Sequence, residues 1–254
     1  MTFANYPSLK GRTVLVTGGA SGIGADIVRA FAWQGAKVAF LDIQAQAAEA
    51  LVAELATAPS KPLFIECDIV NIEALRAAIA QTKAVLGPIA ALVNNAANDD
   101  RHDVADITPD YWDKMQNINL RPQFFAAQSV QPHMKSLGGG SIINFSSIAW
   151  RFGAGNMVAY ASAKAAIQGL TKALARAFGP DNIRVNAIEP GAVMTARQRE
   201  LWYPDNASIQ AIVERQTLQT VLLGEEVARM VLFLAADDSR MISKQNFTVD
   251  AGIS

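Results

Sequence analysis

The amino-acid sequence predicts an α/β fold, a doubly wound parallel sheet with helices on both of its faces. Short apolar runs rich in branched residues alternate along the chain with longer segments of helical periodicity. The short runs are apolar at consecutive positions, which is typical of strands buried on both faces. No proline-, serine- or charge-rich linker interrupts the 254 residues, so we expect residues 1–254 to form one domain.

The predicted strands and helices alternate from one end of the chain to the other. In the first helix, Ile23, Ile27 and Phe31 recur every fourth residue and therefore share one face. The pattern is interrupted at residues 138–140 and 194–207. A helix between two strands carries the chain back to the edge of the sheet where the first strand began, so the alternation predicts parallel strands. Such crossovers are right-handed. We predict strands at residues 13–17, 37–41, 63–67, 89–93, 141–145, 184–188 and 246–249, and further helices at about 44–56, 71–85, 110–135, 157–178 and 225–235.

The composition excludes several classes of protein. With 51% hydrophobic residues and a mean hydropathy of +0.16, the chain has enough apolar surface to fold. The 22 lysines and arginines are balanced by 23 acidic residues, giving a net charge of −1, so we expect no nucleic-acid partner. No apolar run approaches the roughly 18 residues that span a bilayer, so we expect no membrane partner either.

The cysteine content and the first residues indicate a reducing compartment. The single cysteine, Cys67, cannot form an internal disulfide and is interpreted as a small residue at a buried strand end. Residues 1–7 contain no basic segment followed by an apolar one, so nothing in them predicts export. We therefore expect a cytoplasmic protein.

A glycine-rich turn joins the first predicted strand to the first helix. Its glycines, Gly18, Gly22 and Gly24, follow the spacing G-x-x-x-G-x-G. Residues without a Cβ allow a pyrophosphate to approach the backbone, and the start of a helix favours an anion. The turn therefore predicts a dinucleotide site, although a tight turn without a ligand has the same pattern.

A carboxylate at the end of the second strand indicates which dinucleotide binds. Asp42 lies 18 residues after Gly24, close to the ~20 expected for a group that accepts hydrogen bonds from the adenosine ribose. The same charge repels a 2′-phosphate, and neither Ile43 nor Gln44 would neutralise it. We predict NAD as the cofactor over NADP, and we assign no metal.

Four polar residues later in the chain have the chemistry of a catalytic group. Tyr160 and Lys164 lie four residues apart on one helical face, a spacing that by itself also occurs on ordinary exposed helices. Ser147 follows the fifth predicted strand, where open α/β sheets bind ligands, and Asn119 lies in the preceding helical segment. Together these residues predict an active site.

The order of these motifs resembles that of the short-chain dehydrogenase/reductase family over nearly the whole chain. The shared features also include Asp68, the segment 94–96, and Pro190 and Gly191 with Thr195. The resemblance implies a single Rossmann domain of strand order 3-2-1-4-5-6-7 that transfers hydride between a nicotinamide and a carbinol or carbonyl carbon. Ala97 departs from the glycine usual in the family.

The resemblance also implies residue roles. Tyr160 is the expected acid–base group, Lys164 its electrostatic partner and holder of the nicotinamide ribose, and Ser147 the group that orients the substrate oxygen. Asn119 is expected to support a proton-relay water. Pro122 has no N–H, so the carbonyl of Ile118 lacks its helical hydrogen-bond donor. Two interpretations stay open: this carbonyl accepts a hydrogen bond from the relay water, or Pro122 marks an ordinary kink near a helix end. The expected cofactor contacts are Gly18, Ser21, Gly22, Ile23, Gly24, Asp42, Ile43, Asp68, Ile69, Asn95, Ala96, Tyr160, Lys164, Pro190, Gly191, Val193 and Thr195.

Two loops suggest the substrate. Residues 98–103 are all polar, and the segment after Thr195, part of a substrate loop at about 192–216, combines hydrogen-bonding groups with aromatic surfaces. Both resemble the aldose 1-dehydrogenases of the family, which oxidise xylose, arabinose, fucose or galactose at C1. The expected substrate contacts are Asn98, His102, Ser147, Asn156, Tyr160, Arg197 and Trp202.

Two other functions stay open at this point. One is an NADPH-dependent ketoreductase of acyl or small ketone substrates, which Asp42 and the net charge disfavour. The other is a protein that binds the cofactor without turnover. The presence of Asn119, Ser147, Tyr160 and Lys164 together disfavours it, because such a protein does not need all four residues. The family is commonly tetrameric, with pairing through its long fourth and fifth helices and its last strand, so we expect a homotetramer.

Overall fold

The computed structural model of the protein describes residues 3–254. Met1 and Thr2, the first residues of the segment inspected for an export signal, lie outside it. Within the described residues, seven parallel strands form one sheet of order β3-β2-β1-β4-β5-β6-β7, which confirms the predicted fold class. The strands are β1 (Thr13–Thr17), β2 (Lys37–Asp42), β3 (Leu63–Glu66), β4 (Ile89–Asn94), β5 (Gly140–Phe145), β6 (Ile183–Pro190) and β7 (Asn246–Val249).

Two hydrophobic cores lie on opposite faces of this sheet. In β1, Val14 and Val16 pack into one core, whereas Leu15 packs into the other, because successive strand side chains point to opposite faces. All three side chains are fully buried. The central strand β1 is therefore buried on both faces, as the sequence predicts.

Helices cover both faces. The helices α1 (Gly22–Trp33) and α2 (Ala45–Glu54) contribute to the first core, and α3 (Ile72–Leu86) contributes to the second. The remaining helices are α4 (Pro109–Asn119), α5 (Arg121–Ser136), α6 (Val158–Phe178), α7 (Ala196–Leu201), α8 (Asn206–Val213) and α9 (Gly224–Ala235). Over residues 3–254, none of these helices is both long and apolar enough to cross a bilayer.

The single helix predicted at 110–135 is in fact two. Leu120, with φ −118° and ψ −55°, separates α4 from α5. Pro122 lies in the first turn of α5, where the missing N–H of a proline leaves no helical bond unmade. Pro122 therefore stands near a helix end, and a relay water on the carbonyl of Ile118 stays a prediction.

The predicted interruption at 194–207 contains two short helices. The side chain of Thr195 caps α7 by accepting a hydrogen bond from the backbone N–H of Gln198 at 3.2 Å. Asp205 caps α8 in the same way, accepting from the N–H of Ser208 at 2.7 Å. Both caps are visible in the sequence as Thr195-x-x-Gln198 and Asp205-x-x-Ser208.

Candidate active site

The predicted site residues meet at the carboxyl ends of the central strands. The glycine turn follows β1, Asn95 and Ala96 follow β4, Ser147 follows β5, and Gly191 follows β6. Parallel strands end at the same edge of a sheet, so these segments lie side by side. This edge is where open α/β sheets bind their ligands.

The glycine turn has backbone packing that only glycine permits. A Cβ on Gly24 would lie 1.8 Å from the carbonyl oxygen of Gly18, and a Cβ on Gly18 would lie 2.8 Å from the Cα of Ala96. Gly22 has a φ of +53°, and a Cβ there would lie 3.2 Å from a methyl group of Thr195. The turn opens into α1, whose first N–H groups have no partner within the helix, so this cradle fits a pyrophosphate.

The side chain of Asn95 holds this turn by hydrogen bonds to its backbone. Its side-chain Nδ2 donates hydrogen bonds to the carbonyls of Thr17 and Gly18, at 3.1 and 2.9 Å. The hydroxyl of Thr17 in turn accepts from the backbone N–H groups of Asn95 and Ala96, at 3.1 and 3.2 Å. The sequence marked Thr17 as the residue that precedes the glycine turn, but Thr17 was not predicted as a site residue.

Asp42 is buried beside the turn, with an exposed fraction of 7%. Its carboxylate accepts hydrogen bonds from the backbone N–H groups of Ala20 at 2.9 Å and Gln44 at 3.0 Å. A carboxylate has about four acceptor positions, so further ones remain for ribose hydroxyls. Gln44 also donates from its side chain to the hydroxyl of Ser21, at 3.2 Å, and Ile43 is 66% exposed.

The neighbouring segment after β3 lies next to Asp42. The backbone N–H of Cys67 donates to the carbonyl of Asp42 at 3.0 Å, while Asp68 is exposed and Ile69 is buried. Burial and the charge of Asp68 raise the pKa of the Cys67 thiol. A thiol with a raised pKa is a poor nucleophile, which agrees with the interpretation of Cys67 as a packing residue.

The segment after β6 closes the other side of the cleft. Gly191 donates its N–H to the carbonyl of Val249 at 2.9 Å, and a Cβ on Gly191 would lie 2.7 Å from the Cα of Asp250. Val193 is buried, and Thr195 contacts the glycine turn through the methyl group that faces Gly22. Residues of this segment therefore lie within reach of a ligand held by the turn.

The predicted catalytic residues come together at the end of β5. Tyr160 comes from α6, and Ser147 comes from the turn after β5, where its hydroxyl accepts from the backbone N–H of Ala149 at 3.1 Å. Lys164 is 1% exposed and donates from Nζ to the carbonyl of Phe145 at 2.7 Å. The Lys164 Nζ lies 5.4 Å from the centre of the Tyr160 ring.

Burial dominates the electrostatics of this pair. It raises the pKa of the Tyr160 phenol, while the Ser147 hydroxyl lowers this pKa and the charge of Asp99 raises it further. Burial also lowers the pKa of the Lys164 ammonium to about 7, an effect that Asp99 opposes. Both groups are therefore shifted toward their neutral forms in this chain.

Asn119 is fully buried at the end of α4, and its side chain holds the loop after β4. Its Oδ1 accepts from the N–H of Asn98 at 2.9 Å, and its Nδ2 donates to the carbonyl of Asn98 at 3.0 Å. The carbonyl of Asn119 accepts from the side chain of Gln123 at 3.2 Å, and Gln123 also donates to the carbonyl of Phe145 at 3.3 Å. Gln123 is a second residue that sequence reasoning missed, because nothing in its spacing marks it.

The loop 98–103 follows β4 and is held by hydrogen bonds to neighbouring segments. His102 contacts the hydroxyl of Tyr111 through Nδ1 at 3.0 Å, and its backbone N–H donates to the carbonyl of Asn156 at 2.9 Å. The side chain of Asn98 donates to Asp100 at 3.0 Å. These bonds hold the loop against α4 and the turn before α6.

Helix α7 and its flanking residues contact this loop. Arg197 forms ion pairs with Asp99 at 3.4 Å and Asp100 at 3.0 Å. The guanidinium of Arg101 lies 4.1 Å from the ring centre of Trp202, a cation–π geometry. Asp99 and Arg101 were not predicted as site residues, because the sequence does not give the direction of side chains in an irregular loop.

Known proteins match both this sequence and this fold. Residues 18–254 match a family model described as enoyl-(acyl carrier protein) reductase. The chain belongs to the short-chain dehydrogenase/reductase family, as its motifs indicate, and it is therefore an oxidoreductase that uses a nicotinamide cofactor.

Particular relatives are similar over nearly the whole length. The chain is 49% identical over 252 residues to the D-xylose 1-dehydrogenase of Caulobacter vibrioides, with 99% of each chain covered. It is also 49% identical over 251 residues to "Probable galactose dehydrogenase GalD" of Rhizobium meliloti, covering 98% of each. Among solved structures, a short-chain type dehydrogenase/reductase from Mycobacterium ulcerans superposes with a TM-score of 0.91 at 25% identity, covering 97% of this chain and 90% of that one.

Proposed function

We propose that the protein oxidises an aldose, a pentose, hexose or deoxyhexose, at C1 to the aldonolactone, with NAD as hydride acceptor. The observation that carries the proposal is the set of Ser147, Tyr160 and buried Lys164 at the carboxyl end of β5, with the Lys164 Nζ 5.4 Å from the Tyr160 ring centre. The names of the two 49% identical relatives, a xylose and a galactose dehydrogenase, support the same class of substrate.

In the proposed reaction, Tyr160 acts as the base. Its deprotonated Oη takes the proton of the C1 hydroxyl while hydride leaves C1, so the sugar loses two electrons and becomes the lactone. Ser147 donates a hydrogen bond to the same substrate oxygen and orients it. When bound, the oxidised nicotinamide supplies the hydride acceptor and a positive charge.

Lys164 has an electrostatic role in this scheme. A free phenol has a pKa near 10, and making it a base at about pH 7 requires about 4 kcal/mol of preferential stabilisation of the phenolate. Burial raises the pKa of Tyr160, so the requirement is larger in this site. The nearby Lys164 ammonium favours the phenolate, and the same group is proposed to hold the nicotinamide ribose.

The preference for NAD over NADP is proposed from Asp42. Its carboxylate is buried at the end of β2, beside the glycine turn, where it accepts two backbone hydrogen bonds. The negative charge of this buried carboxylate would repel a 2′-phosphate at the same position. The residues proposed to hold the dinucleotide remain those predicted from the sequence.

A homotetramer is proposed as the assembly, in the cytoplasm. Trp112 on α4 and Phe124 on α5 are 37% and 38% exposed, so the two helices that the family resemblance implicates in pairing present aromatic surface. The apolar stripe of α9, including Val227 and Val231, is buried in the protein's own core. Light scattering at micromolar concentration tests the assembly, and the mass of a monomer would contradict it.

The function is tested by following NADH formation at 340 nm with a panel of pentoses, hexoses and deoxyhexoses. We expect sugar-dependent reduction of NAD that exceeds reduction of NADP, and its loss in Tyr160→Phe. The control is binding of NADH to the same variant, which should persist because the phenol hydroxyl is not needed for it. No activity with any aldose, together with NADPH-dependent reduction of ketones, would favour the ketoreductase instead.

A further inference from the structure

A fully buried carboxylate, that of Glu189, lies near the carboxyl end of β6. Its Oε2 forms an ion pair of 2.6 Å with Nε of Arg151 and accepts a hydrogen bond of 3.3 Å from the hydroxyl of Thr248. Its Oε1 accepts a hydrogen bond from the side chain of Gln168. A buried carboxylate is costly unless it is paired and hydrogen-bonded, so these contacts hold the segments of its partners together.

The ion pair with Glu189 holds the end of the turn that begins at Ser147. The hydroxyl of Ser147 accepts from the N–H of Ala149 at 3.1 Å, and the N–H of Arg151 donates to the carbonyl of Ile148 at 2.9 Å. Ser147 and Arg151 are therefore the first and last residues of one tight turn. The side chain of Arg151 is 40% exposed, so the buried carboxylate is what fixes its charged end.

The residue before Ser147 is connected to the same carboxylate. Nε2 of Gln168 donates to Oγ of Ser146 at 3.1 Å as well as to Glu189. The hydroxyl of Ser146 in turn donates to the backbone carbonyl of Lys164 at 2.7 Å. Glu189 thus holds the segment around Ser147 from both sides, through Arg151 on one and Gln168 on the other.

Gln168 also connects the carboxylate to the helix that carries the other catalytic residues. Tyr160, Lys164 and Gln168 recur every fourth residue of α6 and therefore share one helical face. The turn with Ser147 and the helix with Tyr160 are separate segments of the chain, and both are bound to Glu189. The distance between their side chains therefore depends on this carboxylate.

We propose that Glu189 is a positioning residue, which sets the location of the Ser147 hydroxyl relative to Tyr160 by holding Arg151 and Gln168. The proposal rests on the function proposed above, in which both hydroxyls meet one substrate oxygen. A displacement of about 1 Å in such an arrangement can cost about 100-fold in rate. Glu189 acts through the residues that it holds, and it does not act on the substrate.

The experiment separates positioning from stability by removing the ion pair in two steps. Arg151→Met leaves a buried carboxylate without its cation and should lower the melting temperature. Adding Glu189→Gln removes the uncompensated charge and should restore most of the melting temperature. The double variant still lacks the contact that holds the turn, so its kcat for the sugar should stay about 10- to 100-fold below that of the wild-type enzyme.

A second ion pair serves as the matched control. Arg12 and Asp237 form a pair of 2.7 Å, and Arg12 immediately precedes β1, at the edge of the sheet opposite to Ser147. Arg12→Met combined with Asp237→Asn should leave kcat unchanged. NADH affinity, measured by fluorescence titration, should be retained in the Arg151→Met/Glu189→Gln variant, because the proposed effect is on the substrate oxygen.

Dependence on Ser147 provides a readout that a structural role would not change. In a Ser147→Ala background, the double substitution at Arg151 and Glu189 should lower kcat/KM by about twofold or less, since the hydroxyl that it displaces is already absent. If turnover in this background is too slow, calorimetry measures sugar affinity with NADH bound, in Tyr160→Phe protein with and without Ser147→Ala. The double substitution should weaken sugar binding only where Ser147 is present.

Glu189→Gln alone covers the case in which the double variant does not fold. The amide keeps an acceptor but loses the charge-assisted hydrogen bonds, so kcat should fall by about 3- to 10-fold at a retained melting temperature. An unchanged kcat in this variant would overturn the inference.

The outcomes separate the two proposals. Wild-type enzyme that oxidises no aldose would overturn the proposed function and this inference with it. With an active wild-type enzyme, recovery of kcat together with the melting temperature in the double variant would overturn the role of Glu189 alone. The same holds for an equal loss of kcat in the control pair, a loss of NADH affinity as large as the loss of kcat, or an undiminished effect in the Ser147→Ala background.

Discussion

The side chain of Asn119 pairs with the backbone of Asn98 through both of its polar atoms, at 2.9 and 3.0 Å. The pair connects the end of α4 to the loop that follows β4. Asn119 was predicted as a support for a proton-relay water, and that role stays a prediction. The observed bonds give its side chain a second role, which is to hold the first residue of the loop 98–103.

We expect Asn119→Leu to destabilise the protein by about 2 kcal/mol, because it leaves the N–H and carbonyl of Asn98 without their partners. Thermal unfolding measures this loss. If support of the loop is the main role, KM for the sugar should rise more than kcat falls. A loss confined to kcat would instead favour the relay. Asn117→Leu, the same change two residues earlier in α4, is the control.

The glycine turn provides a second prediction. Gly24→Ala should lower the melting temperature and weaken NAD binding severely, because its Cβ would lie 1.8 Å from a carbonyl oxygen. Gly22→Ala should cost less, about 1 kcal/mol, since its φ of +53° is strained but its nearest neighbour is a methyl group at 3.2 Å. Gly155→Ala, with no atom within 4 Å, should leave both quantities unchanged. The opposite order of the first two would contradict the described packing.

Asp42→Asn should relax the preference for NAD. The amide retains an acceptor for the N–H of Ala20 but removes the charge, so the ratio of kcat/KM for NADP to that for NAD should rise about 10- to 100-fold. Steady-state kinetics with both cofactors measure the ratio. The same substitution at Asp68, Asp68→Asn, changes an exposed carboxylate and should have a smaller effect. An unchanged ratio in Asp42→Asn would exclude this basis for cofactor choice.

The pH dependence follows from the direction of the Tyr160 shift. Because burial raises the pKa of the phenol and oxidation needs its deprotonated form, kcat/KM for oxidation should rise with pH, and the reverse reduction should fall. Lys164→Met should move the rise to higher pH by about one unit or more, since the phenolate loses a nearby cation. Lys172→Met, an exposed lysine on the same helix, should leave the profile in place. A profile that falls with pH would be incompatible with Tyr160 as the base.

Much of the fold could be predicted because its signals are local. The strands at 13–17 and 246–249 are observed at the predicted residues, and the other five predicted strands differ from the structure only at their ends. The split at Leu120 and the helices α7 and α8 were missed. Periodicity continues across Leu120, and Pro122 in the first turn of α5 was the local signal of the break. The caps at Thr195 and Asp205 are local signals of α7 and α8 that could have been used.

The sequence alone contained the chemistry of the site: the glycine turn, the carboxylate after β2, and the set of Asn119, Ser147, Tyr160 and Lys164. Each is recognised by residue type and spacing, which do not depend on the rest of the molecule. The tertiary structure decided the partners. Asp99 and Gln198 are 99 residues apart in the chain, and their contact exists only because β4 and β6 end at the same edge of the sheet. The direction of a side chain in a loop depends on such distant neighbours, and for that reason no local pattern distinguishes Asp99 from Asp100.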